Sequence, residues 1–316
     1  MASIYCRGMP DPSASPDPRQ ATDPRALQRL LGRLAVADAA PWLHQEVARR
    51  MAERLQVIRQ PPADWLDWWG FLGGGEGAVR AVWPQARRRV VEPGDVLARR
   101  SRDALRAPWW ALHRRHSADR AVLREDEVPA GRAQMLWANL NLHLAVDPVA
   151  TLAQWHQALA VDGFLMFSTY GPDTLRELRA VYAEAGWPAP HPPFVDMHDI
   201  GDQLVHAGFA DPVMDQETLQ LSWTSADTLL AELRTLGANL GPGRFPGLRT
   251  PRWHARLAQA LARRADDQGR VALTVELVYG HAYKAAPRAR RGEPATVSLD
   301  SVRASLAKAR RGEGQR

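Results

Sequence analysis

The residues best suited to chemistry lie in the first half of the chain. Asp67 is followed within a few positions by Gly70, Gly73, Gly74, Gly75 and Gly77. Glycines let a backbone approach a ligand closely, because no Cβ intervenes. The run is no Walker phosphate loop, since no Gly-Lys-Ser/Thr follows it. Glu92 closes one short apolar run and Asn139 follows another. No metal site is expected, because His191, His198 and His206 lack clustered cysteines or closely spaced carboxylates. His198 and Asp199 are neighbours in sequence, and neighbours on a helix do not face each other. His198 therefore reads as structural rather than as half of a catalytic dyad. Cys6 is the single cysteine, which excludes a disulfide framework and a cysteine-rich zinc module.

Such scattered positions need a substantial fold to bring them together. The chain has 316 residues, 45% of them apolar and 24% charged, enough for one large domain or two small ones with a full core. No apolar run approaches the roughly 18–20 residues of a membrane helix. The segment from Met1 to Asp23 lacks the apolar stretch of a signal peptide. A cytoplasmic protein without a membrane partner is the expectation. The net charge is +6, and all the basic residues except Lys284 and Lys308 are arginines. Because these arginines are spread among acids, they read as a solvated surface, and nucleic acid is not an expected partner. Tryptophan is unusually common, with 12 copies against five tyrosines and six phenylalanines.

Residues 1–24, rich in proline, aspartate and serine, read as a disordered segment. Two helices follow, with Leu27, Leu30, Leu31 and Leu34 on one stripe and Leu43, Val47, Met51 and Leu55 on another. Short apolar stretches then alternate with helical ones. Strands are expected at Trp65–Trp69, Arg89–Val91, Ala121–Leu123, Gln134–Ala138 and Gly163–Thr169, with a helix over Ala150–Val161. This alternation predicts βαβ units and a mostly parallel sheet. After Pro172 come helices near Asp173–Ala185 and Asp196–Ala207 and a strand near Val213–Trp223. Helices at Ala226–Leu236 and Pro251–Arg264 and a strand at Arg270–Tyr283 complete the pattern. Two late strands bracketing helices predict an antiparallel pair at the sheet edge with a helical insertion over 224–268. Residues 285–316 read as a basic, flexible tail, in which Leu299, Val302 and Leu306 are expected to line one face of a short helix starting near Ser298.

Three stretches carry a family likeness. They are Asn139-Leu140-Asn141-Leu142-His143-Leu144, Phe167-Ser168-Thr169-Tyr170-Gly171-Pro172-Asp173-Thr174-Leu175-Arg176-Glu177-Leu178, and Phe194-Val195-Asp196-Met197-His198-Asp199-Ile200-Gly201-Asp202 with Ala207-Gly208-Phe209 after it. Together they resemble the malonyl-acyl-carrier-protein O-methyltransferases of biotin synthesis, over about Leu27 to Lys284. The resemblance implies an α/β, Rossmann-like class I methyltransferase fold over 25–284, with a seven-stranded, mostly parallel sheet, a reversed last hairpin and helices on both faces. It implies that the helices of 25–60 cover a bound S-adenosylmethionine, and it offers an acyl carrier protein, or another acidic partner, as the partner.

The same resemblance places the cofactor-binding residues at Asp67, Gly70, Gly73, Glu92 and Asn139, with Glu92 as the carboxylate for the ribose hydroxyls. Glu125 or Asp126 falls near the acid that meets the adenine amine. Tyr170, Arg176 and Arg234 are expected at the substrate, with Arg244 and Arg249 as further candidates to pair with a carboxylate. No catalytic base is expected, because a carboxylate is already ionised at neutral pH. The chain also departs from the family pattern. Trp69 and Phe71 stand where the first two glycines of the turn belong, and Ala37 stands where the first cap segment carries an aromatic. These departures motivate a second reading, a pseudo-methyltransferase that serves as a binding or assembly protein.

Overall fold

The computed structural model describes residues 22–106 and 121–286. The disorder expected over 1–24 falls almost wholly outside these residues, and so does the helix expected near Ser298. The chain divides at Ala285 into two units, and every element below belongs to the first.

Asp23 starts the described fold as a helix cap. Its carboxylate accepts from the N–H groups of Arg25 and Ala26 at 2.8 and 3.3 Å, and Pro24 presets the first helical φ. Helices α1 (Pro24–Ala35) and α2 (Trp42–Glu53) follow. Next come β1 (Asp64–Trp68), α3 (Gly70–Gly73), α4 (Gly75–Val82), β2 (Arg87–Glu92), α5 (Asp95–Leu105), β3 (Val122–Arg124) and β4 (Ala133–Ala138). The second half runs α6 (Pro148–Ala158), β5 (Leu159–Tyr170), α7 (Arg176–Glu184), α8 (Met197–His206), β6 (Ala210–Trp223), α9 (Ala226–Leu236), α10 (Pro251–Ala262) and β7 (Val271–Tyr283).

Among the described residues the sheet has seven strands in the order β3-β2-β1-β4-β5-β7-β6. The first five are parallel, and β7 runs antiparallel to both β5 and β6. This is the expected class I methyltransferase arrangement with its reversed hairpin. The strand order reverses beside β1, where β2 lies on one side and β4 on the other, the point at which open α/β sheets bind ligands.

Side-chain alternation along the central strands divides the core between two faces. Leu66, Leu136, Leu165 and Phe167 join Leu30 and Leu34 of α1, Trp155 of α6 and Leu204 of α8. Trp65, Met135, Trp137 and Met166 join Val47 and Met51 of α2 and Val79 of α4. A separate cluster unites Leu178 of α7, Leu229 of α9 and Leu257 of α10 with the far end of the β6–β7 hairpin. Gly280 permits the reversed pairing of β7. It lies opposite Phe167, and a Cβ there would sit 2.0 Å from the ring.

Several boundaries shift from the sequence expectation, the helix α5 was not expected, and three of the shifts have a clear physical cause. The helix expected to reach Val161 ends at Ala158, because Leu159 already pairs with Ala133 across the sheet. The helix expected from Asp173 starts at Arg176, because Glu276 on β7 pins the preceding turn. The Glu276 carboxylate accepts from the Asp173 N–H at 2.6 Å, and its carbonyl accepts from Gly171 N–H and the Thr174 hydroxyl, both at 2.9 Å. Finally, β6 begins at Ala210 rather than Val213, across a register shift between those two residues.

Candidate cofactor and acceptor sites

Two neighbouring sites form where β1, β2, β4 and β5 end. The first is a polar cradle. Asp67, the fourth residue of β1, is fully buried, and its Oδ2 accepts from Arg88 at 2.7 Å. Arg88 also pairs with Glu76 of α4 at 2.8 Å. Burial pushes the Asp67 carboxyl up to about 6, against the pull of Arg88. Glu92, the last residue of β2, is equally buried. Its Oε1 accepts from the Phe71 N–H at 2.9 Å and from the Ser101 hydroxyl at 2.6 Å. Burial drives its carboxyl up to about 7. Each acid keeps one buried oxygen, Asp67 Oδ1 and Glu92 Oε2, without a hydrogen-bond partner among the described residues.

Asn139, immediately after β4, ties the cradle together. Its amide N–H groups donate to the carbonyls of His44 on α2 and Gly73 in the turn, both at 2.8 Å. Its Oδ1 accepts from the Ser168 hydroxyl of β5 at 2.6 Å. The two turn glycines are packed against protein. A Cβ on Gly70 would lie 2.8 Å from Val90, and one on Gly73 would lie 3.3 Å from Asp67. The expected cradle residues Asp67, Gly70, Gly73, Glu92 and Asn139 are therefore brought together.

The two aromatics of the turn part company. The Phe71 ring is half-buried under the Arg100 guanidinium at 4.1 Å, and Arg100 donates to the carbonyls of Ala35, the last residue of α1, and of Asp38 beyond it. Trp69 is 5% exposed and shares its cluster with Leu27, Leu30 and Leu34 of α1. Its indole N–H donates to Glu125 just beyond β3 at 2.6 Å. Burial raises the Glu125 carboxyl.

The second site is a cleft of about 910 Å³ beyond the ends of β4 and β5, walled by the 190–195 loop, α9 and α10. A ring cluster forms one part of its lining. Tyr170 lies 4.4 Å from His143 and 5.5 Å from Phe194 between ring centres, and His191 stacks on Phe194 at 4.6 Å. Burial lowers His143 to about 3 and lowers His191 too, and it pushes the Tyr170 phenol up. Both imidazoles are therefore neutral near pH 7.

The arginine candidates separate clearly. Arg234 and Arg249 line this cleft, and the Arg249 guanidinium stacks over Phe245 and Trp253 at 3.9 and 4.4 Å. Arg176 does not line it. It is exposed at the start of α7 and paired with Asp173 and Glu177 at 3.2 and 3.3 Å. Arg244 is held by Asp23 at 2.6 Å. His198 pairs with Asp196 at 2.7 Å, the residue capping α8, and not with Asp199. His143 and Phe194 lie inside the family stretches, and nothing in their local sequence marks either as a site residue. Their spacing along the chain gives no sign that they meet.

No family model matches the chain. Curated proteins do. The chain is 40% identical over 262 residues to the malonyl-acyl-carrier-protein O-methyltransferase of Laribacter hongkongensis, covering 81% of this chain and 88% of that one. It is 36% identical over 278 residues to the protein of the same name from Gallionella capsiferriformans, covering 86% and 95%. With that from Halorhodospira halophila it shares 39% identity over 251 residues, covering 78% and 82%. Among the described residues, no helix is long and apolar enough to cross a membrane.

Proposed function

The chain belongs to the malonyl-acyl-carrier-protein O-methyltransferase family, and from that premise we propose that it esterifies the free carboxylate of a malonyl group held on an acyl carrier protein in the cytoplasm. S-adenosylmethionine is the methyl donor, and it supplies a methyl group on an electron-poor sulfonium.

The observation that carries the reading is the pair of buried carboxylates at the switch point of the sheet, each with one unpartnered oxygen. Such oxygens suit the donor's own polar groups. Glu92 Oε2 would accept from ribose hydroxyls, and Asp67 Oδ1 would face the amino-acid end. Glu125 is the third acceptor. The residues present therefore fit the chemistry of the group. Asn139 fixes the glycine turn against α2 and β5, so the cradle and the cleft share the β4–β5 wall.

A malonyl thioester has one free carboxylate, ionised at neutral pH, so no residue has to remove a proton. The task of the chain is positioning, with the carboxylate oxygen held in line with the methyl. Arg249 and Arg234 are the cations that line the cleft in reach of such an anion. The neutral ring cluster of His143, Tyr170 and Phe194 offers the methyl group a dry, uncharged wall. In this reading the helices of 25–60 are the lid of the cradle and the insertion of 224–268 is a wall of the cleft.

The test is direct. Incubated with S-adenosylmethionine and malonyl-acyl carrier protein, the carrier should gain the mass of one methylene by intact-protein mass spectrometry, and acetyl-carrier protein should gain nothing. An unchanged malonyl carrier would refute the enzyme and leave a binding or assembly role.

A further inference from the structure

Trp69 takes up space in the cradle in an unusual way. Its backbone lies at φ 54° and ψ 51°, the left-handed region that a side-chain-bearing residue rarely adopts. The conformation is held from both sides. The Trp69 N–H donates to the Val91 carbonyl of β2 at 2.6 Å, and its own carbonyl accepts from the Gly73 N–H at 2.8 Å. The strained backbone sends the indole sideways along the strand ends. Trp69 follows β1 and Glu125 follows β3, with β2 between them. At about 4.8 Å per strand, the indole and the carboxylate it meets bridge the end of β2, the strand that Glu92 terminates.

What fills that place is informative. It is a flat, fused bicycle with one N–H donating to a half-buried carboxylate at 2.6 Å. It is covered by the apolar face of α1, through Leu27, Leu30 and Leu34. Adenine is also a flat fused bicycle whose exocyclic amine donates to such an acceptor. The slot has the shape, the apolar cover and the acceptor that a purine needs, and an indole already sits in it. Glu92, at the end of the strand that this bridge crosses, accepts from the Phe71 N–H at 2.9 Å through Oε1 and keeps Oε2 without a partner among the described residues.

We propose that Trp69 is an internal stand-in for the adenine ring: its indole closes the donor cradle, and S-adenosylmethionine enters only after that side chain has left Glu125. The proposal rests on the cofactor reading above and adds a closed resting state to it. A ligand that binds only the open state has its affinity reduced by the fraction of molecules that are open. The indole–carboxylate bond and the burial of the ring under α1 both favour the closed state, so that fraction is small.

The experiment is calorimetry with S-adenosylhomocysteine on the full chain, comparing wild type, Trp69→Gly and Trp69→Phe. Trp69→Gly removes the ring and suits the left-handed backbone, and it should bind at least about tenfold more tightly than wild type. Trp69→Phe keeps most of the bulk and loses the N–H, and it should bind about threefold or more tightly than wild type. It carries the test if circular dichroism shows Trp69→Gly to be unfolded. A wild type that binds as tightly as the folded variant overturns the proposal and leaves S-adenosylmethionine as the cofactor. Absence of binding by wild type and variant alike at millimolar ligand overturns the cofactor reading together with it. In protein labelled with 5-fluorotryptophan, the resonance lost in Trp69→Phe should shift when ligand binds wild type. A resonance that stays in place while binding heat is released also overturns the proposal.

Discussion

Replacing Glu92 by glutamine should make the protein progressively more stable than wild type as pH rises. Glu92 is fully buried, with two hydrogen bonds on one oxygen and none on the other. Burial moves its carboxyl from 4.5 to about 7. Below 4.5 the folded and unfolded chains both hold the proton. As pH rises above that value the unfolded chain ionises first, and the fold loses stability until Glu92 itself ionises near 7. The stability is thus present at low pH and lost through that window, the reverse of a salt-bridged carboxylate. At about 1.4 kcal/mol per pH unit, the full gap is worth roughly 3 kcal/mol. Of this, about 2–3 kcal/mol should accrue between about pH 5 and about pH 8. Glutamine keeps an oxygen to accept from Phe71 and Ser101 and cannot ionise. Asp67, pushed up to about 6 by burial, titrates in both proteins and largely drops out of the difference. The assay is urea unfolding of wild type and Glu92→Gln across this pH range, followed by circular dichroism. Parallel stability curves would refute the reasoning, since they would show a Glu92 that ionises as easily folded as unfolded.

Other perturbations probe the same framework. Arg88→Met removes the cationic partner of buried Asp67, which then keeps its proton, so the variant should lose about 1–2 kcal/mol at pH 7 and less below about pH 6, where Asp67 is protonated in both proteins. Urea unfolding at two pH values checks both parts. Gly280→Ala puts a Cβ 2.0 Å from the Phe167 ring and should cost about 1–3 kcal/mol, read as a lower urea midpoint with an unchanged slope. Arg249→Ala should lower kcat/KM for malonyl-acyl carrier protein by roughly 10–100-fold through the loss of a charge-assisted contact worth about 1.5–3 kcal/mol. Arg176→Ala, outside the cleft, should leave it within about twofold. Equal effects from the two arginines would refute the assignment of the cleft to the carboxylate.

Much of the fold was legible because its signals are local. The alternation in Trp65-Leu66, Met135-Leu136 and Phe164-Leu165 marks strands buried on both faces, and the leucine stripe from Leu27 to Leu34 marks a helix with one buried side. The errors fell where a distant strand overrides a local pattern. Leu159-Ala160-Val161 continues a helical stripe, yet pairing with Ala133 claims it for the sheet. Asp173 and Thr174 look like a helix start, yet Glu276, about a hundred residues away, holds them in a turn. The arginine candidates could not be ranked from sequence at all, because an arginine's role depends on which carboxylates lie within reach. Arg176 and Arg244 find acids of the chain itself, whereas Arg249 stacks on rings at the cleft.

By itself the sequence carried the family resemblance, most of the strand-helix order, though not the helix Asp95–Leu105, and the positions of Asp67, Glu92 and Asn139 at or near strand ends, because motifs, periodicity and residue type are local properties of the chain. It also marked Trp69 as the residue that breaks the glycine pattern. Only the tertiary structure decided what Trp69 does. Where its indole goes depends on a left-handed backbone pinned to β2, on a carboxylate beyond β3 and on the leucines of α1. Those groups are separated by tens of residues along the chain, and they meet only because the parallel sheet brings the ends of its strands to one edge.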